Sequence, residues 1–330
     1  MCLRALIGKL ATIFILVANL LIISPTPPVY AQEIAAAPKS CLLGAYLNSL
    51  YNLDLNQNNF GASFWLWSNC DSENLQPLQT AELVNANSSS YSQEGKDKKG
   101  NILWEYRKIN GVFRHEWNLR NYPFDRQILE IWLDETEQDT NSFVYIPDKI
   151  NSGYNKNIKI DGWQIIGLNV EAREVRYDST LGNPQVAGDV GSNYSRLIVS
   201  IEIARTDRSG FWKMTIGAYI AFAISALTFL FDPNQRTILL IGSLLAVLLS
   251  LISVDGILGS TEGLSSIDLV HITTMIYIFV AASYAVYSQI LHKTGREKTL
   301  RRFDRIGMIV FVLSFLVANI VLIGTTAFKG

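Results

Sequence analysis

Between residues 197 and 204 apolar and polar positions alternate, with Leu197, Val199, Ile201 and Ile203 on one side and Ser200, Glu202 and Ala204 on the other. A period of two places one face of a β-strand on a core and the other in solvent. Similar short runs at 42–50, 60–68, 102–108, 112–119, 127–134, 143–146 and 163–177 are separated by clusters of Asn, Gly, Ser and Asp. Many short strands with turn signals between them predict a β-sandwich.

After Arg208 the pattern changes abruptly to four long apolar segments, Phe211 to Phe231, Thr237 to Val254, Ile267 to Leu291 and Ile306 to Phe328. Each approaches or exceeds the roughly 20 residues needed to cross a bilayer as a helix. The expected organisation is therefore a β-sandwich domain at 32–209 and a four-helix transmembrane domain at 210–330. The link between the third and fourth segments carries Lys293, Arg296, Lys298, Arg301, Arg302 and Arg305, whereas Asp255, Glu262 and Asp268 follow the second. An excess of Lys and Arg marks the cytoplasmic side, so the sandwich and the C-terminus are expected outside.

Residues 1–31 read as a signal peptide: Arg4 and Lys9 precede an apolar run from Leu10 to Ile23, and Val29-Tyr30-Ala31 suits signal peptidase. The other reading is a membrane-anchoring first helix. Both export the segment that follows, where disulfides are permitted. Removal of the signal leaves Cys41 and Cys70, on runs flanking the polar turn Asn52 to Asn59. A hairpin centred near Leu55 places them roughly opposite each other, which suits either a cross-strand disulfide or two buried free thiols.

Composition narrows the function classes. Of 330 residues, 49% are hydrophobic and 17% charged, too apolar for an ordinary soluble protein of this length. A net charge of -1 gives no basic footprint for nucleic acid. There is no phosphate-cradling glycine loop, CxxC pair or HExxH pair, so neither an enzyme nor a resident cofactor is expected.

The stretch Asn118-Leu119-Arg120-Asn121-Tyr122-Pro123-Phe124-Asp125-Arg126-Gln127 resembles the signature loop of the Cys-loop receptor superfamily, whose core reads aromatic-Pro-Phe-Asp-x-Gln. His115 and Leu129 stand where animal receptors carry the two bridging cysteines, and the link before the fourth helix is very short, as in prokaryotic members. The resemblance implies an extracellular antiparallel β-sandwich on a four-helix transmembrane bundle, assembled as a homopentamer around a central pore in a bacterial inner membrane. Two departures stand out: Ile216-Gly217-Ala218 replaces the usual proline of the first helix, and the segment between Trp67 and Trp104 is shorter than the family's.

On this resemblance the second transmembrane helix lines the pore. Asp232 and Pro233 suit its start, as an N-cap residue followed by a proline. Aligning Arg236 with the family's basic residue at the inner mouth places Ile238, Gly242, Leu245, Leu249 and Ile252 on the pore face and Asp255 at the outer mouth, with Leu245 at the gate. The residues alone select another stripe, Ser243, Ala246, Ser250 and Ser253, the least apolar at helical spacing; small polar residues also serve helix packing in membranes. Asp255 and Asp232 favour cations, Arg236 opposes them.

The resemblance further implies that Asp54 and Asp125 surround Arg205 to couple the two domains, with Tyr122, Pro123 and Phe124 pressed against the loop from Gly256 to Ser265. It points to Tyr145, Tyr177 and Tyr194, with Trp65 or Trp67 of a neighbouring subunit, as walls of a ligand site. Aromatic walls suit cations and small apolar groups. His115 and His271 are candidate pH reporters, although a buried neutral imidazole bonded to a backbone carbonyl also fits His271. The expected partners are other copies of the chain, membrane lipids, permeating ions and a small extracellular ligand or protons. The expected function is a ligand- or proton-gated ion channel subunit; the alternative is a non-conducting membrane sensor of the same fold.

Overall fold

The computed structural model describes residues 37–179, 191–258 and 263–327. The segment read as a signal peptide lies outside them. In chain order the elements are β1 (Lys39–Asp54), β2 (Asn59–Cys70), α1 (Pro77–Thr80), β3 (Ala81–Leu83), β4 (Ala86–Lys99), β5 (Ile102–Arg114), β6 (Arg126–Asp139), β7 (Phe143–Pro147), β8 (Gly153–Tyr154), β9 (Trp163–Tyr177) and β10 (Ser192–Arg205). The helices α2 (Ser209–Leu227), α3 (Arg236–Leu258), α4 (Ser266–Lys293) and α5 (Glu297–Ala327) follow, with a short 3-10 turn at Thr228–Leu230 after α2.

The strands form two sheets. One has the order β4-β5-β2-β1-β7, with β8 beside β1, and the other the order β3-β6-β10-β9. The expectation of an antiparallel sandwich needs one correction: β7 and β8 run parallel to β1. After β6 the chain crosses from one sheet to the edge of the other, and such a crossover can deliver a strand in either direction. The alternation in β10 does what its period requires, since Leu197, Val199, Ile201 and Ile203 are all buried. They meet Leu43, Leu47, Phe60 and Phe64 of the facing sheet in one core.

Two further expectations are revised. The runs at 102–108 and 112–119 belong to one strand that ends at Arg114, and Asn110-Gly111 lies inside it instead of forming a turn. A Cβ on Gly111 would come within 2.8 Å of the Phe113 ring and 3.1 Å of the Ser88 carbonyl oxygen, so glycine serves close packing there. Strand β4 has no counterpart among the predicted runs because nearly every residue of Ala86–Lys99 is exposed. As an edge strand pairing with β5 it buries neither face, and charged residues such as Lys96, Lys98 and Lys99 guard such edges.

Cys41 and Cys70 are direct partners in the β1–β2 register and are joined by a disulfide. This closes a separation of 29 residues, worth roughly 3.5 kcal/mol in loop entropy.

Among the described residues, four helices are long and apolar enough to cross a membrane. An aromatic seam ties α2, α4 and α5 together: Phe222 stacks on Phe315 at 3.6 Å and on Phe311 at 5.2 Å, and Phe229 stacks on Tyr284 at 4.8 Å. Helix α3 joins the bundle differently, through small residues. A Cβ on Gly217 of α2 would lie 2.5 Å from Ser250 Oγ, so the Ile216-Gly217-Ala218 sequence allows close approach of the two helices. Asp232 caps the turn before α3, its carboxylate accepting from Asn234 N at 3.1 Å, and the helix itself starts at Arg236. The start of α4 carries a full capping box between Ser265 and Asp268.

Candidate functional site

The loop 118–127 follows the end of β5 and leads into the start of β6, beside the end of β10 and the first turn of α2. Asp125 is 2% exposed, and its two oxygens accept from Arg205 Nε at 2.7 Å and Nη2 at 3.2 Å. Gln127 Nε2 donates to the same carboxylate at 2.9 Å. Gln127 also donates to the Asn118 carbonyl and accepts from the Asn118 amide, which fixes the loop's shape. The Arg205 guanidinium lies 4.0 Å from the Trp163 ring centre and 4.6 Å from that of Tyr122. A bidentate guanidinium–carboxylate pair held between aromatic rings is rigid in both distance and plane.

The cluster bears on the helices at two points. A Cβ on Gly210, in the first turn of α2, would lie 2.3 Å from the Tyr122 hydroxyl, so the tyrosine rests against bare backbone. Ser266 Oγ, at the start of α4, donates to the Arg120 carbonyl at 3.1 Å. Arg208 lies over the Phe124 ring at 5.1 Å. Pro123 is buried between them behind a cis Tyr122–Pro123 bond. Residues 259–262 of the loop expected to meet Tyr122, Pro123 and Phe124 lie outside the described residues.

Asp54 is placed otherwise than expected. Its Oδ1 accepts from the amides of Asn56 and Gln57, both at 2.9 Å, so the carboxylate closes its own hairpin turn. It lines the same cavity of about 580 Å³ as Tyr122 and Arg205, without pairing with the arginine.

On α3 the two candidate stripes separate. Leu245 is 56% exposed, and Ile238, Gly242, Leu249, Ile252 and Asp255 are exposed with it. Ser243 is fully buried and donates to Leu239 O. Ser250 Oγ lies 3.0 Å from His271 Nε2. Ser243 and Ser250 are therefore turned toward the rest of the chain, with Val247 and Val254 buried beside them, whereas Ser253 is exposed. His271 Nδ1 lies 2.9 Å from the Ile267 carbonyl, to which it must donate. Its other ring nitrogen meets Ser250 Oγ, so the imidazole links α4 to α3.

His115 is placed outside the range of a physiological pH reporter. Burial against Trp117 and Phe60 holds its pKa down to about 4, with Gln127 opposing, so it is neutral across the physiological range. Because the folded pKa lies below the unfolded value near 6.5, the unfolded chain binds the proton first. Stability is then full above pH 6.5 and falls as pH drops toward 4, by up to about 3 kcal/mol. Thermal melts of the full-length protein at pH 7.5 and 4.5 should show a smaller acid loss for His115→Phe than for wild type; equal losses would show that His115 is not desolvated.

The ligand-wall candidates divide. Tyr145 is a core residue, 3% exposed, whose hydroxyl donates to Glu135 Oε2 at 3.3 Å. This corrects its assignment to an accessible wall. Tyr177 and Tyr194 flank residues 180–190, outside the described residues, and their rings meet at 5.9 Å. The Tyr177 hydroxyl donates to Asp134, which also holds Arg196. Trp65 and Trp67 lie on the solvent face of the six-stranded sheet and line a groove of about 590 Å³ with Tyr46, Trp104, Tyr106 and Asp148. Trp67 Nε1 donates to Asp148 Oδ2 at 3.1 Å. Burial raises the Asp148 pKa, but hydrogen bonds from Asn151, the backbone and Trp67 outweigh it and keep the carboxyl below its usual range. Trp104 and Tyr106 were not singled out from the sequence, although their spacing of two on β5 puts them on one face. No protein-family model matches the chain, and no curated protein sequence matches it.

Proposed function

We propose that the chain is one subunit of a homopentameric ligand-gated ion channel of the bacterial inner membrane, with the sandwich on the periplasmic side and α3 lining the pore. The observation that carries the reading is the placement of α3. Ser243 and Ser250 of its polar stripe are consumed by packing inside the subunit, while the aliphatic row through Leu245 is exposed there. Lipid alone would satisfy such a row, but α3 also bears Gly242 and Asp255 on that exposed side, and the most exposed aliphatic residues of α5 already offer a lipid-facing surface. One such helix cannot enclose water; a closed ring of copies can, and fivefold closure is what the likeness of residues 118–127 to the Cys-loop receptor signature suggests.

The Arg205–Asp125 pair at the strand-to-helix junction is read as the element through which a shift of β10 reaches α2 and α4. The aromatic groove around Trp65 and Trp67 is read as one wall of the ligand site, completed by a neighbouring subunit. A weak preference for cations follows from Asp255 at the outer mouth. The non-conducting sensor remains the second reading, favoured by the wholly apolar row on α3. Imaging of purified particles in mild detergent tests the assembly. Five subunits with Leu245 facing the axis are expected, and a monomer, a trimer or a ring with α3 on its rim would refute the proposal.

A further inference from the structure

A guanidinium in the first turn of a pore-lining helix would place a ring of positive charge at the inner mouth and oppose cation passage. Arg236 occupies that turn, yet its side chain is 2% exposed. Its Nη1 donates to Asp304 Oδ1 of α5 at 2.7 Å, and its Nε donates to the Phe231 carbonyl at 3.1 Å. The Tyr284 hydroxyl of α4 donates to the same Asp304 oxygen at 2.7 Å. The base of α3 and Tyr284 of α4 thus converge on one carboxylate of α5, and the same arginine ties in the turn before α3. Gln235 and Thr237, on either side of Arg236, are exposed.

We infer that Asp304 is a positioning residue for ion selectivity: by drawing Arg236 into the subunit, the outermost helix keeps the inner mouth of the pore free of positive charge. The inference rests on the reading of α3 as the pore wall. A buried ion pair is a poor stabilising device, since well-packed apolar residues often serve as well or better. What apolar residues could not do is hold a long cationic side chain away from a water-filled axis. Hydrogen bonds to Phe231 and Asp304 fix the Arg236 guanidinium at both ends, and Gln289 Nε2 pins the preceding turn by donating to the Pro233 carbonyl at 3.2 Å.

The test joins two readouts on Asp304→Ala and on the double variant Arg236→Gln with Asp304→Asn, which removes both charges together and guards against misfolding of the single variant. Arginine-directed labelling with phenylglyoxal, read by peptide mass spectrometry, should leave Arg236 unmodified in wild type while the exposed Arg301 and Arg305 react, and should modify Arg236 in Asp304→Ala. In bilayers under a salt gradient, with every protein also carrying Leu245→Ser so that the pore opens without agonist, Asp304→Ala should shift the reversal potential toward that of chloride and lower cation conductance several-fold, whereas the double variant should keep the potential of the otherwise unaltered protein. Wild-type Arg236 reacting as readily as Arg301 would overturn the inference, as would Asp304→Ala conducting with the wild-type potential, or a double variant shifted as far as Asp304→Ala. Silent bilayers for all three proteins would refute the pore reading and the selectivity role with it, while the labelling would still decide where Arg236 lies.

Discussion

Arg205→Ala is expected to abolish the response to agonist and to destabilise the sandwich together. The substitution leaves the Asp125 carboxylate buried without its counter-charge, though Gln127 still donates to it, and breaking a buried ion pair costs about 3–5 kcal/mol. A lost response could then reflect poor folding alone. The paired substitution Arg205→Met with Asp125→Leu separates the two effects, because replacing both members of a buried pair by apolar residues is often neutral. The double variant should recover most of the melting temperature lost by Arg205→Ala and reach the membrane, yet remain unresponsive, since the rigid link between β10, the 118–127 loop and Gly210 is gone. A double variant that gates normally would reduce the cluster to a structural role.

Leu245→Ser should have the opposite sign, opening the channel more readily. In the isolated subunit Leu245 is exposed, so the change should cost the fold little. At the axis of a pentamer, five leucines form a ring that expels water, and serine lets water persist. If dewetting favours the closed pore by only about 1 kcal/mol per leucine, five copies bias the closed state by several kcal/mol. The agonist concentration for half-maximal response should then fall by at least about tenfold, or the pore should leak without agonist. Currents like those of wild type from normally assembled Leu245→Ser protein would remove α3 from the axis.

The sequence made the sandwich legible wherever one face of a strand is buried, because alternation is then forced on it; β10 is the clearest case. It concealed β4, which buries neither face and so carries no alternation, and it misled at Asn110-Gly111, where a turn signal serves packing against Phe113. The four membrane helices followed from length and hydropathy alone. Their rotation did not, because α3 is apolar on most sides: Ser243 and Ser250 marked a stripe, but nothing in the sequence says that His271 of α4 lies opposite Ser250. Arg236 shows the same limit. Its position in the chain suggests a pore mouth, whereas its partner Asp304 is 68 residues away and only the packing of α5 brings the two together. Tyr145 was unreadable for a related reason, since a strand as short as β7 does not reveal which of its faces meets the core. Asp125 and Arg205, carried by a resemblance of local sequence, are brought together in the fold, and Asp54 is not, because its own turn consumes its carboxylate.

The central claim is that water and ions pass along α3, and ion flux measured on purified full-length protein in liposomes tests it most directly. Vesicles containing wild-type protein and Leu245→Ser protein would be compared at equal content of assembled particles. The account predicts a cation leak through the Leu245→Ser vesicles that greatly exceeds the wild-type leak in the absence of ligand. Vesicles as tight as protein-free controls for both proteins, with assembly intact, would contradict it and leave the non-conducting sensor as the reading that stands.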